Sequence, residues 1–129
     1  MSYLLDASIL ISWLKGRRSA VELMNDLTDG TDDLAVNAIS VTEVYSGIAE
    51  KDQEATNLIF AAFDYWAIDE VTARLAGQYR HRYAREGRPL SVTDVLMAAS
   101  AVRHGATLVT SNVKDFPMPE LKLLPVPGM

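Results

Sequence analysis

The chain contains no cysteine, so disulfides and thiolate metal centres are excluded, and a reducing cytoplasm is its natural setting. Histidine is scarce as well. Only His81 and His104 occur, far apart and without ligand spacing, so a zinc site is not expected. No uninterrupted apolar run approaches the roughly 18 residues that a membrane span needs. The first apolar stretch is broken by Asp6, which is unlike a signal peptide. No linker, low-complexity tract or internal repeat interrupts the sequence. Pro117, Pro119, Pro125 and Pro127 crowd the end and read as a stiff closing loop and tail. At 129 residues the chain is expected to form one domain, residues 1–129, large enough to bury a core.

Charge is unevenly spread. The net charge is −5, yet residues 1–72 carry 13 acids against 4 bases and residues 73–129 carry 4 against 8. Five arginines fall between Arg74 and Arg88. Such a surface attracts a polyanion with one half and repels it with the other.

Short apolar runs alternate with amphipathic segments. Tyr3-Leu4-Leu5, Leu34-Ala35-Val36, Tyr65 to Ile68, Thr107 to Thr110 and a short run at Leu121 to Leu124 read as strands. Helices are expected over Ile9–Leu14, from Ser19 as cap through Leu27, from Ser40 to Gly47–Glu50, and over Gln53–Phe63 behind Asp52. The longest, Glu70–Glu86, opens at Asp69 and stops at Gly87 and Pro89. Its apolar stripe is Val71, Leu75, Tyr79 and Tyr83. A last helix runs from Ser91 to His104. Strands alternating with helices predict an α/β domain, a central parallel sheet of four to five strands with helices on both faces.

Three carboxylates occupy related places in this frame. Asp6 ends the first strand, where ligands of open α/β sheets bind. Glu43 and Asp94 follow Ser40 and Ser91 by three residues. S-x-x-E and S-x-x-D are also the capping-box pattern, and Asp6 or Ser8 can equally cap the first helix. Each residue alone is thus a cap or a site residue. Gathered at one end of a sheet, the three acids repel one another unless a cation lies among them. Oxygen-only donors favour a hard ion, Mg²⁺ or Mn²⁺, and carboxylate-held Mg²⁺ suits phosphoryl transfer.

Four motifs taken together resemble the PIN domain of VapC-type toxins: Leu4-Leu5-Asp6-Ala7-Ser8, Ser40-Val41-Thr42-Glu43, Leu90-Ser91-Val92-Thr93-Asp94 with Ala98-Ala99, and Leu108 to Phe116. The resemblance spans nearly the whole chain. It implies a small metal-dependent endoribonuclease with catalytic acids at Asp6, Glu43 and Asp94, using Mg²⁺ (Mn²⁺ as substitute) and leaving a 5′-phosphate and a 3′-hydroxyl. It also implies an RNA substrate, a VapB-like antitoxin partner and a homodimer. The position of the family's fourth acid is Asn112 here, so a second metal is in doubt, and Asp115 three residues on is the alternative ligand. Thr110 and Ser111 can bind a water or phosphate or be structural. Arg17, Arg18, Arg80, Arg82 and Arg85 are candidates for the RNA backbone, against the plainer reading of a solvated basic face.

Readings from other classes fit less well. A non-catalytic PIN-like binding module has no need of three acids. A haloacid-dehalogenase-like phosphatase wants a second aspartate where Ser8 stands, and a phospho-receiver wants an acidic pair after the first strand.

Overall fold

The computed structural model describes residues 1–128. Five parallel strands, β1 (Ser2–Leu5), β2 (Asp33–Val36), β3 (Asp64–Tyr65), β4 (Thr107–Thr110) and β5 (Lys122–Pro125), lie in the order β3-β2-β1-β4-β5. The first strand is central. The chain builds outward to β2 and β3, then returns to the other side of β1 for β4 and β5. The change of direction falls between β1 and β4, the kind of place where an open α/β sheet binds ligands at its carboxyl edge.

The three central strands bury both faces at Leu4-Leu5, Ala35-Val36 and Leu108-Val109, which is why these runs lack polar alternation, whereas β3 is exposed and β5 at most half-buried. Leu4, Ala35 and Leu108 face one half of the core, against α5 (Glu70–Arg85) and α6 (Val92–Arg103). Leu5, Val36 and Val109 face the other, against α1 (Ala7–Leu14), α2 (Arg18–Asp29) and α3 (Ala38–Gly47). Leu4 and Leu5 are wholly buried, each contributing about 1.5–3 kcal/mol. Ala98, Ala99, Ser100 and Ala101 are all buried, so the smooth face of α6 lies close against sheet and α5 as its sequence predicts. The remaining helix, α4 (Gln53–Phe60), follows a short 3-10 turn.

Several boundaries differ from the sequence reading. The third strand is Asp64–Tyr65 rather than Tyr65 to Ile68, because only Ala35 and Val36 remain on β2 to pair with it. The fourth helix stops at Phe60, three residues early. Arg17, without a side-chain bond, holds the cap position of α2 that Ser19 was expected to fill. Val71 is exposed, while Thr72 and Ala76 are buried with Tyr79 and Tyr83. A strict spacing of four drifts about 40° per step around a helix of 3.6 residues per turn, so the buried stripe steps by three and four and leaves Val71 behind. Gly87, at φ +77°, turns the chain out of α5. Among the described residues no helix is long and apolar enough to cross a membrane.

Candidate active site

Asp6 stands directly after β1, buried to 7% exposure. It occupies the cap position of α1, but its side chain makes no capping bond. Instead Oδ2 accepts two hydroxyls, Ser8 Oγ at 2.9 Å and Thr110 Oγ1 at 2.8 Å. Each hydroxyl also accepts a backbone N–H from the loop after β4: Ser111 N–H to Ser8 at 3.1 Å, and Asn112 N–H to Thr110 at 3.0 Å. The carboxylate and the loop are thereby fixed to each other through two side chains. Thr110 is fully buried and orients Asp6, which assigns it the structural alternative.

Glu43 is not a capping residue. The helix begins earlier than Ser40, at Ala38, and its cap is Asn37. Asn37 Oδ1 accepts from Ile39 and Ser40, and Ser40 Oγ accepts from Asn37 N–H, so the capping box lies between Asn37 and Ser40. Glu43 stands more than a turn into α3, one helical repeat after Ile39, which packs with the α6 side of the core. Exposed overall, its carboxyl still holds its proton more tightly than usual, through partial desolvation first and then the charges of Asp6 and Asp94.

Asp94 does lie in a capped first turn: its backbone N–H donates to Ser91 Oγ at 3.1 Å. That bond uses the backbone of Asp94 rather than its carboxylate. Burial raises its proton affinity, the Ser91 hydroxyl opposes this, and the charges of Asp115 and Asp6 raise it further. Asp115, half-buried at the end of a 3-10 turn (Val113–Asp115), is therefore electrostatically part of the group. Asn112 is exposed and caps that turn without a side-chain bond.

The fold thus brings Asp6, Glu43 and Asp94 into mutual repulsion from three separate elements, with Asp115 beside Asp94. An all-oxygen, mutually repelling donor set fits a hard divalent cation. Among the described residues, no three His, Cys, Asp or Glu side chains close into a tight ligand cluster.

The arginines divide. Arg82 lies over the Tyr79 and Tyr83 rings at 5.5 and 4.8 Å, donates to the Tyr83 hydroxyl at 2.7 Å and is 3.6 Å from Glu120. Tyr79 itself, buried and near Glu120, has its phenol pushed up to about 12. Arg18 pairs with Glu22 at 3.0 Å and Arg80 donates to Leu90 O at 3.2 Å. Arg17 and Arg85 are exposed, with no ion pair or side-chain hydrogen bond among the described residues. His81 and His104 are exposed, His104 stacked on Trp66 at 3.9 Å. The sequence did not single out Asn37, and it offered Ser8 as a helix cap rather than as a donor to Asp6. The available signal was the repeated pattern of an apolar strand ending in a short polar residue.

The PIN domain family model matches residues 3–117, and the chain belongs to the PIN-domain family, in its VapC-type branch. It is 34% identical to Ribonuclease VapC10 of Mycobacterium tuberculosis over 128 residues, 97% of this chain and 95% of that protein. It is 31% identical to Ribonuclease VapC19 of the same species over 120 residues, 92% and 96% of the two chains. Among solved structures, a toxin–antitoxin complex from Klebsiella pneumoniae superposes with a TM-score of 0.77 at 27% identity, covering 95% of each chain. VapBC2 from Rickettsia felis, bound to a DNA fragment from its promoter, shares the fold with a TM-score of 0.82 at 23% identity, over 97% of this chain and 98% of that one.

Proposed function

We propose that this chain is the toxin of a toxin–antitoxin pair, an endoribonuclease that requires Mg²⁺ or Mn²⁺. The observation that carries the reading is that β1, α3 and α6 bring Asp6, Glu43 and Asp94 close enough for their charges, after burial, to raise the proton affinity of Glu43 (from Asp6 and Asp94) and of Asp94 (from Asp115 and Asp6), a repulsion that a divalent cation relieves. Its VapC relatives bear the name ribonuclease. Asp6, Glu43 and Asp94 would hold the cation directly or through its waters, with Asn112 or Asp115 at the loop edge. A divalent cation held there would supply a water of lowered pKa and positive charge at the phosphate. Ser8 and Thr110 keep Asp6 in one orientation throughout. Water attacks phosphorus, the 3′ oxygen leaves and takes up a proton, and the products carry a 5′-phosphate and a 3′-hydroxyl. Arg85 and Arg17, exposed and without side-chain partners among the described residues, are the arginines free to contact the RNA backbone, and Arg80 and Arg18 can do so only alongside their present partners.

An antitoxin of the VapB kind is the proposed partner. A groove of about 590 Å³ between α1, α3 and the chain around α4 is lined by Ile11, Leu14, Val44, Ile48, Ala55 and Ile59. It lies on the helices that carry Glu43 and start at Asp6. An apolar anchor there, with a cation reaching the acidic group, would neutralise the enzyme. A complex whose partner lies wholly away from these acids would contradict that mechanism. A homodimer is the proposed assembly, which the mass of the purified chain in solution tests. The test of the activity is incubation with defined RNAs in Mg²⁺, in chelator, and after Mg²⁺ is restored. Cleavage should appear, vanish and return. Binding of RNA without cleavage in all three would identify a non-catalytic module.

A further inference from the structure

Asn37 ends β2 much as Asp6 ends β1. Leu4 pairs with Ala35 and Leu5 with Val109, and the same register carried past the strand ends sets Asn37, Asp6 and Thr110 side by side. Residues at equal register on parallel neighbours leave the sheet on one face. Here it is the face of Leu4, Ala35 and Leu108, packed against α6, the helix that bears Asp94.

Asn37 is fully buried, and its amide cannot be reversed. Oδ1 accepts from Ile39 N–H at 3.0 Å and from Ser40 N–H at 3.1 Å, and exchanging the two ends would set donor against donor. Nδ2 is therefore fixed on the side away from these donors. It is buried and has no hydrogen-bond partner. Capping needs only the oxygen, which serine or threonine also supplies. The cap leaves unexplained why an amide is here, since its donor end carries a desolvation cost that nothing offsets. Beside it, both hydroxyls reaching Asp6 go to Oδ2, and no protein donor reaches Oδ1 among the described residues.

We propose that Asn37 is a positioning residue of the acidic site, its side-chain N–H group donating to Asp6 Oδ1 on the β2 side as Thr110 donates to Oδ2 on the β4 side, when Asp6 is engaged with a divalent cation. The inference rests on the metal-binding reading above and adds a second support to its central carboxylate. Asn37 acts through Asp6 and touches neither RNA nor the reacting atoms.

The experiment uses the full chain without RNA, with Mn²⁺ or Mg²⁺ alone as the probe. Asn37→Ser keeps a capping oxygen and loses the amide donor. It should melt near wild type yet bind Mn²⁺ about 10-fold more weakly by calorimetry, the usual effect of removing a partner of a metal ligand. Asn37→Thr, nearer in volume, serves the same purpose if the serine variant fails to fold. In ¹⁵N-labelled wild type, the side-chain NH₂ signals of Asn37 should shift on adding Mg²⁺. Unchanged Mn²⁺ affinity in the variant, or unmoved signals in wild type, would overturn the proposal. Asp6→Asn separates the two levels. If it weakens Mn²⁺ binding and Asn37→Ser does not, only the role of Asn37 fails. If neither does, the metal site fails and this inference with it.

Discussion

Thr110 and Asp6, 104 positions apart in the chain, meet in a buried hydrogen bond of 2.8 Å. It fastens the end of β4 to the end of β1 where the sheet changes direction. Thr110→Val keeps the shape and removes the hydroxyl, leaving Asp6 with Ser8 alone. A hydrogen bond to a charged group contributes about 1.5–3 kcal/mol, and loss of a partner of a metal ligand lowers activity about 10- to 100-fold. RNA cleavage should fall within that range, and thermal melting should show the destabilisation. Thr110→Ser should restore both.

The raised proton affinities of Glu43 and Asp94 fix the sign of a stability change with pH. Between the unfolded carboxyl pKa, about 4, and the higher folded values, the native state binds more protons than the unfolded chain. Metal-free stability should therefore fall as pH rises through that window and stay at the lower level to neutrality. Glu43→Gln should remove part of the fall and raise the melting temperature at pH 7 by about 1–4 °C, since the group is largely exposed. Melting curves from pH 4 to 8 with chelator check this. A lower melting temperature in Glu43→Gln at pH 7 would mean that the repulsion is absent.

Asn112 and Asp115 compete as the fourth oxygen ligand. With the amide at Asn112 the cluster has one acid fewer in that place, and Asn112→Asp adds a hard charged ligand. If Asn112 reaches the ion, this variant should tighten Mn²⁺ binding by about 1–3 kcal/mol, and cleavage should saturate at lower metal. Calorimetry on Asn112→Asp and Asp115→Asn side by side decides the matter. An unchanged first variant with a weakened second assigns the role to Asp115, which already lies close enough to raise Asp94.

Arg82 and Arg85, close neighbours on α5, should fail differently. Arg82 is tied to Tyr79, Tyr83 and Glu120, so Arg82→Ala should lower the melting temperature. Arg85→Ala should leave melting unchanged and weaken RNA binding, with a shallower dependence on salt. Equal RNA affinity in wild type and Arg85→Ala at low salt would remove that arginine from the interface.

The strand runs and the acids were legible because each depends on local signals: an apolar run buried on both faces, then a polar residue where the strand must stop. Asp94 could be placed from its own serine cap. Glu43 stood out as a candidate but in the wrong frame, since Ser40 also suits a capping box, and only the fold shows Asn37 capping one turn earlier. The Ser8–Asp6–Thr110 arrangement was hidden because it joins residues about a hundred positions apart. Arginines three positions apart on one helix look alike in sequence. They separate only when tertiary packing lays Arg82 over two tyrosine rings and leaves Arg85 in solvent.

The central claim is that Asp6, Glu43 and Asp94 together cut RNA with a divalent ion, and Asp94→Asn tests it most directly. The Ser91 cap is made to the backbone of residue 94, so the variant should fold and melt at or above the wild-type temperature. Initial cleavage rates of one defined RNA in Mg²⁺ should be readily measured for wild type and absent for Asp94→Asn at equal folded concentration. Wild-type rates in a folded Asp94→Asn would show that this carboxylate serves only the first turn of α6, and would contradict the account.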